Sequence, residues 1–232
     1  MTRAEFAKTI DQTLLRPDAS RRETIAFCEA AAPHGFATVC LLPAWVADAV
    51  DSLDGTGTAI GTVVGFPHGN APAQAKAIEA ATAVADGATE IDMVLNISAL
   101  KSGADLIVLD EIGSVVDAVA PAGAIVKVIL ECALLTDREK AHAARLAVDS
   151  GAQFVKTSTG FAVPAAGIAV GATVADVALL RATVGPQIGV KASGGIRTLA
   201  DARALWAAGA SRLGTSAGIA LLAAFASEVP PR

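Results

Sequence analysis

Tyrosine is absent from this chain, and aromatic residues as a whole make up only 4% of it. The charge balance is acidic, with a net of −5 and no basic stripe. A nucleic-acid partner calls for clustered positive charge, so that class starts from a weak position. Any attraction for an anionic substrate must come from a few local cations rather than from a global field. Cysteine is scarce too. Cys28, Cys40 and Cys132 stand apart with no C-x-x-C, which argues against a disulfide framework and a zinc knuckle. The histidines, His34, His68 and His142, lack metal-ligand spacing. The opening Met1-Thr2-Arg3-Ala4-Glu5 has no apolar signal-peptide core, so a reduced, cytoplasmic setting is expected. One long stretch, between Lys156 and Asp176, has no charge. It is broken by Gly160, Pro164, Gly167 and Gly171, and reads as strand end, loop and helix start rather than a membrane span.

What the chain does have is apolar bulk. Hydrophobic residues make up 53% of 232, enough for one large core and close to the roughly 250 residues of a (β/α)8 barrel. Short Val/Ile-rich runs alternate with Ala-rich helical stretches. The runs are Ala37–Leu42, Ala59–Phe66, Glu90–Leu95, Ile125–Glu131, Phe154–Thr157, Ile188–Ala192 and Arg212–Thr215, with a shorter one near Thr9–Leu14. Near-continuous apolar runs suit strands buried on both faces. The helical stretches are Arg21–Ala32, Ala44–Leu53, Pro72–Ala85, Leu106–Val119, Asp137–Asp149, Val174–Thr183, Leu199–Ala208 and Ala217–Phe225, and Thr136 with Glu139 fits a capping box. Strict alternation predicts a parallel sheet with helical crossovers, here one (β/α)8, or TIM, barrel domain over residues 1–232.

A finer regularity locates a site. Four helices end at a glycine that leads into a strand: Gly35, Gly87, Gly151 and Gly209. A glycine there suits a left-handed helix cap. Counting five residues on from each gives Cys40, Asp92, Lys156 and Gly214, on strands 2, 4, 6 and 8. Alternate strands of such a barrel fill one interior layer, so these four are expected to share a layer near the catalytic end.

Seven lysines occur, and Lys127, Lys156 and Lys191 each follow a valine inside an apolar strand. A buried ammonium is costly unless it is paired or has a task. The plain alternative is a lysine paired with a buried carboxylate, or one that reaches the barrel mouth. The functional reading is covalent catalysis. An amine attacks a carbonyl only when deprotonated, and its ordinary pKa is roughly 10.4. Burial and a neighbouring cation both favour the neutral form. One strand lysine can therefore act as nucleophile while another lowers its pKa. Asp92 is a carboxylate in an apolar strand, able to pass protons directly or through one water, or to serve as the lysines' counter-ion. Ser193-Gly194-Gly195 follows strand 7, and Gly214-Thr215-Ser216 follows strand 8 and opens a helix. Barrel enzymes often hold phosphate with these two loops.

Together these residues resemble the deoxyribose-phosphate aldolase family of class I aldolases. The matching segments are Ile10–Leu15, Val39-Cys40, Phe66-Pro67-His68-Gly69, Glu90-Ile91-Asp92, Lys127-Val128-Ile129, Lys156-Thr157-Ser158-Thr159-Gly160 and Lys191-Ala192-Ser193-Gly194-Gly195-Ile196-Arg197. The resemblance implies that Lys156 forms a Schiff base, Lys191 tunes it, and Asp92 with a water shuttles protons. It puts Asp11 beside Lys191 and adds Lys127 and Cys40 to the polar site. Gly160, Gly194, Gly195, Gly214 and Ser216 would surround a phosphate. The implied reaction splits 2-deoxy-D-ribose 5-phosphate into acetaldehyde and D-glyceraldehyde 3-phosphate, with no metal or organic cofactor, in a homodimer or tetramer. Gln12, Phe161 and Ala217 depart from patterns in the family, and the chain end, Glu228-Val229-Pro230-Pro231-Arg232, offers no tyrosine. Two other enzyme readings share the fold: a Schiff-base aldolase with a different donor or acceptor, and a phosphosugar isomerase or synthase that forms no imine. A sugar-phosphate-binding regulator is the non-enzyme alternative, but no separate interaction module is left over.

Overall fold

Eight parallel strands close into a barrel in sequence order in this computed structural model, which describes residues 1–228. They are β1 (Ile10–Leu14), β2 (Thr38–Leu41), β3 (Ala59–Val64), β4 (Glu90–Val94), β5 (Ile125–Ile129), β6 (Phe154–Lys156), β7 (Gly189–Ser193) and β8 (Arg212–Thr215). The helices are α1 (Arg3–Ala7), α2 (Arg21–Ala31), α3 (Val46–Leu53), α4 (Ala73–Ala85), α5 (Ile97–Lys101), α6 (Asp105–Val119), α7 (Asp137–Asp149), α8 (Val174–Val184), α9 (Leu199–Ala207) and α10 (Gly218–Glu228). Every strand and helix expected from the sequence is present, with ends that differ by three residues or fewer. The Thr136–Glu139 capping box forms, and Gly35, Gly87, Gly151 and Gly209 all have positive φ. Among the described residues, no helix is long and apolar enough to cross a membrane.

Two helices escaped the sequence pattern. Helices α1 and α5 have five residues each, too short to show a helical period. Their ends do the work instead. Thr2 and Glu5 form a capping box on α1, and the Asn96 side chain accepts the Ala99 N–H at the start of α5. Phe6 of α1 is fully buried between Trp206 and Phe225, with ring centroids 4.7 Å from each. Aromatic pairs of this kind add about 0.5–1.5 kcal/mol beyond burial.

The strands sort their residues by face. Ile91 and Met93 on β4, Val126 and Val128 on β5, and Leu213 on β8 join the core that the helices cover. The residues between them, Glu90, Asp92, Lys127, Arg212 and Gly214, meet one another inside the barrel. The strand register shows how. Asp92 pairs with Lys127 and Lys127 with Phe154, two residues before Lys156. Lys156 leads through Lys191 to Arg212, two before Gly214. Gly214 leads through Asp11 to Thr38, two before Cys40. Cys40 leads through Gly61 to Glu90, two before Asp92. Each step across two strands advances two residues, the stagger of a (β/α)8 barrel. Cys40, Asp92, Lys156 and Gly214 therefore form one interior layer. The same counting on the odd strands groups Asp11, Gly61, Lys127 and Lys191.

Candidate active site

The two layers interlock into one ionic network. Asp92 is fully buried. Its Oδ1 accepts from Lys127 Nζ at 2.6 Å, and its Oδ2 accepts from both Lys191 Nζ at 2.6 Å and Lys156 Nζ at 2.8 Å. Lys191 Nζ also lies 2.5 Å from Asp11 Oδ2. Beneath them, Lys127 pairs with Glu90 at 2.7 Å, and Arg212 bridges Asp11 at 2.6 Å and Glu90 at 3.3 Å. Asp92 and Lys156 touch directly, so a bridging water is not needed between them. Four cations, Lys127, Lys156, Lys191 and Arg212, thus face three carboxylates, Asp11, Glu90 and Asp92. The set carries one cation in excess, so one of the four is the easiest to deprotonate.

The surroundings select which one. Burial pushes the Lys156 ammonium below its ordinary value. Asp92 pulls it back, the Lys191 charge pushes it down further, and the net shift is downward. Burial acts on Lys191 in the same direction, but Asp11 and Asp92 outweigh it and hold that lysine above its ordinary value. Lys127 is also raised, by Asp92, Asp11 and Glu90 against burial. Burial would raise Asp92, yet the three ammonium groups hold it well below the usual carboxylate range. Asp11 is held low by Lys191, Lys127 and Arg212. Cys40 completes the layer. Burial and the Asp92 charge push its thiol up to about 11, which keeps it protonated and a poor nucleophile at neutral pH.

Lys156 opens onto a cavity of about 310 Å³ at the C-terminal ends of the strands. Thr13, Arg16, Thr159, Phe161, Gly194, Gly195, Arg197, Gly214 and Ser216 lie on its wall. Four of the five residues expected around a phosphate are there. Gly160 is the exception. It does not line the cavity, and its Cα instead lies 3.8 Å from where a Cβ on Gly194 would stand. The loop after β6 folds across Gly194 so closely that a Cβ on Gly171 would sit 2.2 Å from the Gly194 carbonyl oxygen. Gly194 and Gly195 have φ of 86° and 78°, a turn that side chains resist. Gly214 has a different reason to be glycine. A Cβ there would stand 3.0 Å from Lys191 Cε, so its absence leaves room for that lysine.

The helix after β8 is less open to an anion than the sequence suggested. The Ala217 N–H donates to Thr215 Oγ1 at 3.0 Å, and the Gly218 N–H to Gln12 Oε1 at 2.9 Å. Gln12 also donates to the Ser216 carbonyl at 3.3 Å, so it fixes the turn rather than joining the lysine network. Phe161 packs edge-on against Phe66 with centroids 5.3 Å apart. The chain end at 229–232 lies outside the described residues.

Sequence reasoning passed over Glu90, Arg212, Arg16 and Thr159. The first two had a signal. Glu90 precedes Asp92 by two residues and Arg212 precedes Gly214 by two, so each faces the same way as a residue already singled out. Arg16 and Thr159 lie beyond strand ends, where period-2 counting stops.

Comparison with known proteins identifies the family. Residues 6–225 match the model of the DeoC/LacD family of aldolases. Over 217 residues, covering 94% of both chains, the sequence is 50% identical to the deoxyribose-phosphate aldolase of a Geobacillus species and equally to that of Bacillus subtilis. A deoxyribose phosphate aldolase from Aeropyrum pernix, described as a unique tetramer, superposes with a TM-score of 0.88 at 34% identity, over 98% of this chain and 94% of that one. A barrel of interior lysines and carboxylates, matched along nearly its whole length, settles the grouping: the chain belongs to the DeoC/LacD family of aldolases.

Proposed function

We propose that this protein cleaves 2-deoxy-D-ribose 5-phosphate, reversibly, to D-glyceraldehyde 3-phosphate and acetaldehyde, with Lys156 as the Schiff-base nucleophile. The carrying observation is the asymmetry among three buried lysines. Of the three inside the barrel, Lys156 alone is pushed toward the free amine, and it lines the cavity. The amine adds to C1 of the open-chain sugar, and the carbinolamine loses water to give an iminium. The C3 hydroxyl then loses its proton, the C2–C3 bond breaks, and its electron pair moves into the enamine. Glyceraldehyde 3-phosphate departs. Protonation at C2 and hydrolysis return Lys156 and release acetaldehyde. Asp92 touches Lys156 and relays protons, directly or through a water. At rest, three ammonium groups hold its carboxyl well below the usual range, so it is ionised when the cycle begins. Lys191 stays charged and, together with burial, favours the free amine of Lys156.

The phosphate is assigned to the Gly194–Gly195 turn and Ser216, with Arg16 and Arg197 as the cations on the same wall. The whole activity is assigned to one barrel domain. The resemblance to a tetrameric relative and the exposed Ile78 and Leu106 on the outer helices favour a homo-oligomer. Three free, buried thiols suit a reduced cytoplasm.

Acetaldehyde with borohydride should leave a stable adduct that peptide mapping places on Lys156, and a retro-aldol assay on deoxyribose 5-phosphate should give acetaldehyde. An adduct on Lys191 would reverse the two roles. No adduct at all would remove the imine mechanism, and turnover of a keto-acid but not acetaldehyde would make this a different aldolase.

A further inference from the structure

One buried carboxylate near Lys156 has no part in the mechanism above. Glu131 follows β5 and is only 2% exposed. The sequence predicts strand as far as this residue, but β5 stops at Ile129 because Glu131 adopts left-handed backbone, φ 58° and ψ 63°. It is the one non-glycine residue with positive φ among the described residues. A glutamate has no intrinsic preference for that region, so the surroundings must hold it there. The strand pairing shows what has happened. The Leu130 N–H donates to the Lys156 carbonyl at 2.9 Å, and the Cys132 N–H donates to the Thr157 carbonyl at 2.8 Å. Two residues advance on one side against one on the other, which makes Glu131 the extra residue of a bulge.

The bulge turns the carboxylate onto the segment that carries the nucleophile. Glu131 Oε2 accepts the Thr159 N–H at 3.1 Å and also the Thr159 hydroxyl. Thr159 Oγ1 in turn accepts the Phe161 N–H at 3.0 Å. Thr159 and Phe161 both line the cavity. On the other side, Thr157 and Ser158 are tied to β7. The Ser193 N–H donates to Thr157 Oγ1 at 3.1 Å, and the Ser193 hydroxyl donates to the Ser158 carbonyl. The residues after Lys156 are therefore gripped from both neighbouring strands, and Glu131 supplies the β5 side. Its other oxygen, Oε1, is buried without a hydrogen-bond partner. Burial also pushes the carboxyl above its ordinary range, against the Thr159 bonds and the Lys156 charge. Strained backbone and an unpaired buried oxygen both oppose stability. A fold that needed only a turn here would do better with glycine.

We propose that Glu131 is a positioning residue. It clamps the Thr157–Phe161 segment through Thr159 and so fixes the wall against which the phosphorylated substrate lies. The substrate part rests on the aldolase reading above, whereas the clamp itself does not.

Two variants test it. Glu131→Gly relieves the backbone and removes the clamp; Glu131→Gln keeps the size and one acceptor but loses the charge. Amide hydrogen exchange at Thr159 and Phe161 in Glu131→Gly should speed up at least about tenfold, with β4 amides unchanged and a melting temperature equal to or above that of the parent. The KM for deoxyribose 5-phosphate should rise roughly tenfold in Glu131→Gly and less in Glu131→Gln. The borohydride-trapped acetaldehyde adduct on Lys156 should form as in the parent. Unchanged exchange at Thr159 overturns the clamp, whatever the substrate proves to be. Faster exchange with unchanged KM overturns its role in substrate binding. A parent that forms no adduct removes the aldolase reading and leaves the exchange result to judge the clamp alone.

Discussion

Two of the places where the barrel buries charge are built on opposite terms. Outside the sheet, Lys76 of α4 meets Glu111 of α6 at 2.9 Å, both essentially inaccessible. Lys76 also donates to the Val94 carbonyl at 2.8 Å, and Glu111 accepts the Asn96 N–H at 2.6 Å. One cation meets one anion, and their remaining bonds go to the backbone after β4. Burial lowers Lys76 and raises Glu111, so both ends lean toward their neutral forms. Inside the sheet, burial is overcome. Asp11 and Asp92 are held low, while Lys127 and Lys191 are held high. Only Lys156 leans toward neutrality. A one-to-one pair fixes geometry. A network with one more cation than carboxylates fixes geometry and also shifts one amine toward its neutral form.

The strongest way to break this contrast is Asp92→Asn. It removes the anion shared by three lysines. Removing one partner of a buried pair typically costs about 3–5 kcal/mol, because the other charge is left behind. The loss of a proton relay adds a fall of about 100- to 10,000-fold in turnover. Urea unfolding measures the first effect and the retro-aldol rate the second. Deuterium exchange into the acetaldehyde methyl group isolates the proton step. If that exchange ran at the parent rate in a folded variant, Asp92 would keep only its electrostatic role.

The outer pair should respond differently. Lys76→Met alone should destabilise by about 3–5 kcal/mol, since Glu111 keeps its buried charge. Lys76→Met with Glu111→Leu should recover most of that loss, because two apolar side chains can replace a buried pair at little cost or with gain. Turnover per folded molecule should stay at the parent level in both. A double variant as unstable as the single, or a change in the Lys156 pH profile, would mean that the outer pair is coupled to the barrel interior through Val94 and Asn96.

The sequence exposed the two clusters unequally, for a physical reason. Inside the barrel, strand periodicity and a fixed stagger turn sequence spacing into spatial neighbourhood. Counting from Gly35, Gly87, Gly151 and Gly209 was enough to bring Cys40, Asp92, Lys156 and Gly214 into one layer. Lys127 and Lys191 followed from their strands, and Asp11 from the family resemblance. Lys76 sits on an Ala-rich helix and Glu111 on a Val- and Ile-rich one, and each reads as an ordinary solvent-facing charge. Nothing local marks them as partners 35 residues apart. Glu131 was hidden for another reason. It continues an apolar strand pattern, and only its backbone conformation sets it apart. Gly160 was assigned to the phosphate by its place in a motif; in the fold its Cα stands beside Gly194, 3.8 Å from where a Cβ there would lie.

The mildest test is Lys191→Met, which asks whether the excess cation does the tuning. In the parent, Lys191 and Lys156 share Asp92 Oδ2. Removing Lys191 ends its repulsion of Lys156 and leaves that oxygen to Lys156 alone. Both effects raise the Lys156 pKa. Imine formation needs the free amine and increases as pH rises through that pKa, so the ascending limb should move to higher pH. Stability should respond in the opposite pH range. Asp11 loses the lysine 2.5 Å away, so its folded pKa should rise toward its ordinary value. A depressed carboxyl pKa contributes stability that is present above about pH 4 and lost as pH falls through the folded pKa. In the variant that contribution is smaller, and acid unfolding should begin at a higher pH. The raised Lys191 itself contributes stability below roughly pH 10.4, which fades as pH rises through its folded pKa. The variant lacks that contribution at neutral pH. Trapping rates with acetaldehyde and borohydride across pH read the first effect, and acid titration followed by circular dichroism reads the second. An unmoved ascending limb with lower turnover would show that Lys191 holds its neighbours in place without setting the Lys156 charge state. The resting balance of cations and carboxylates would then have to be sought in Lys127 and Arg212.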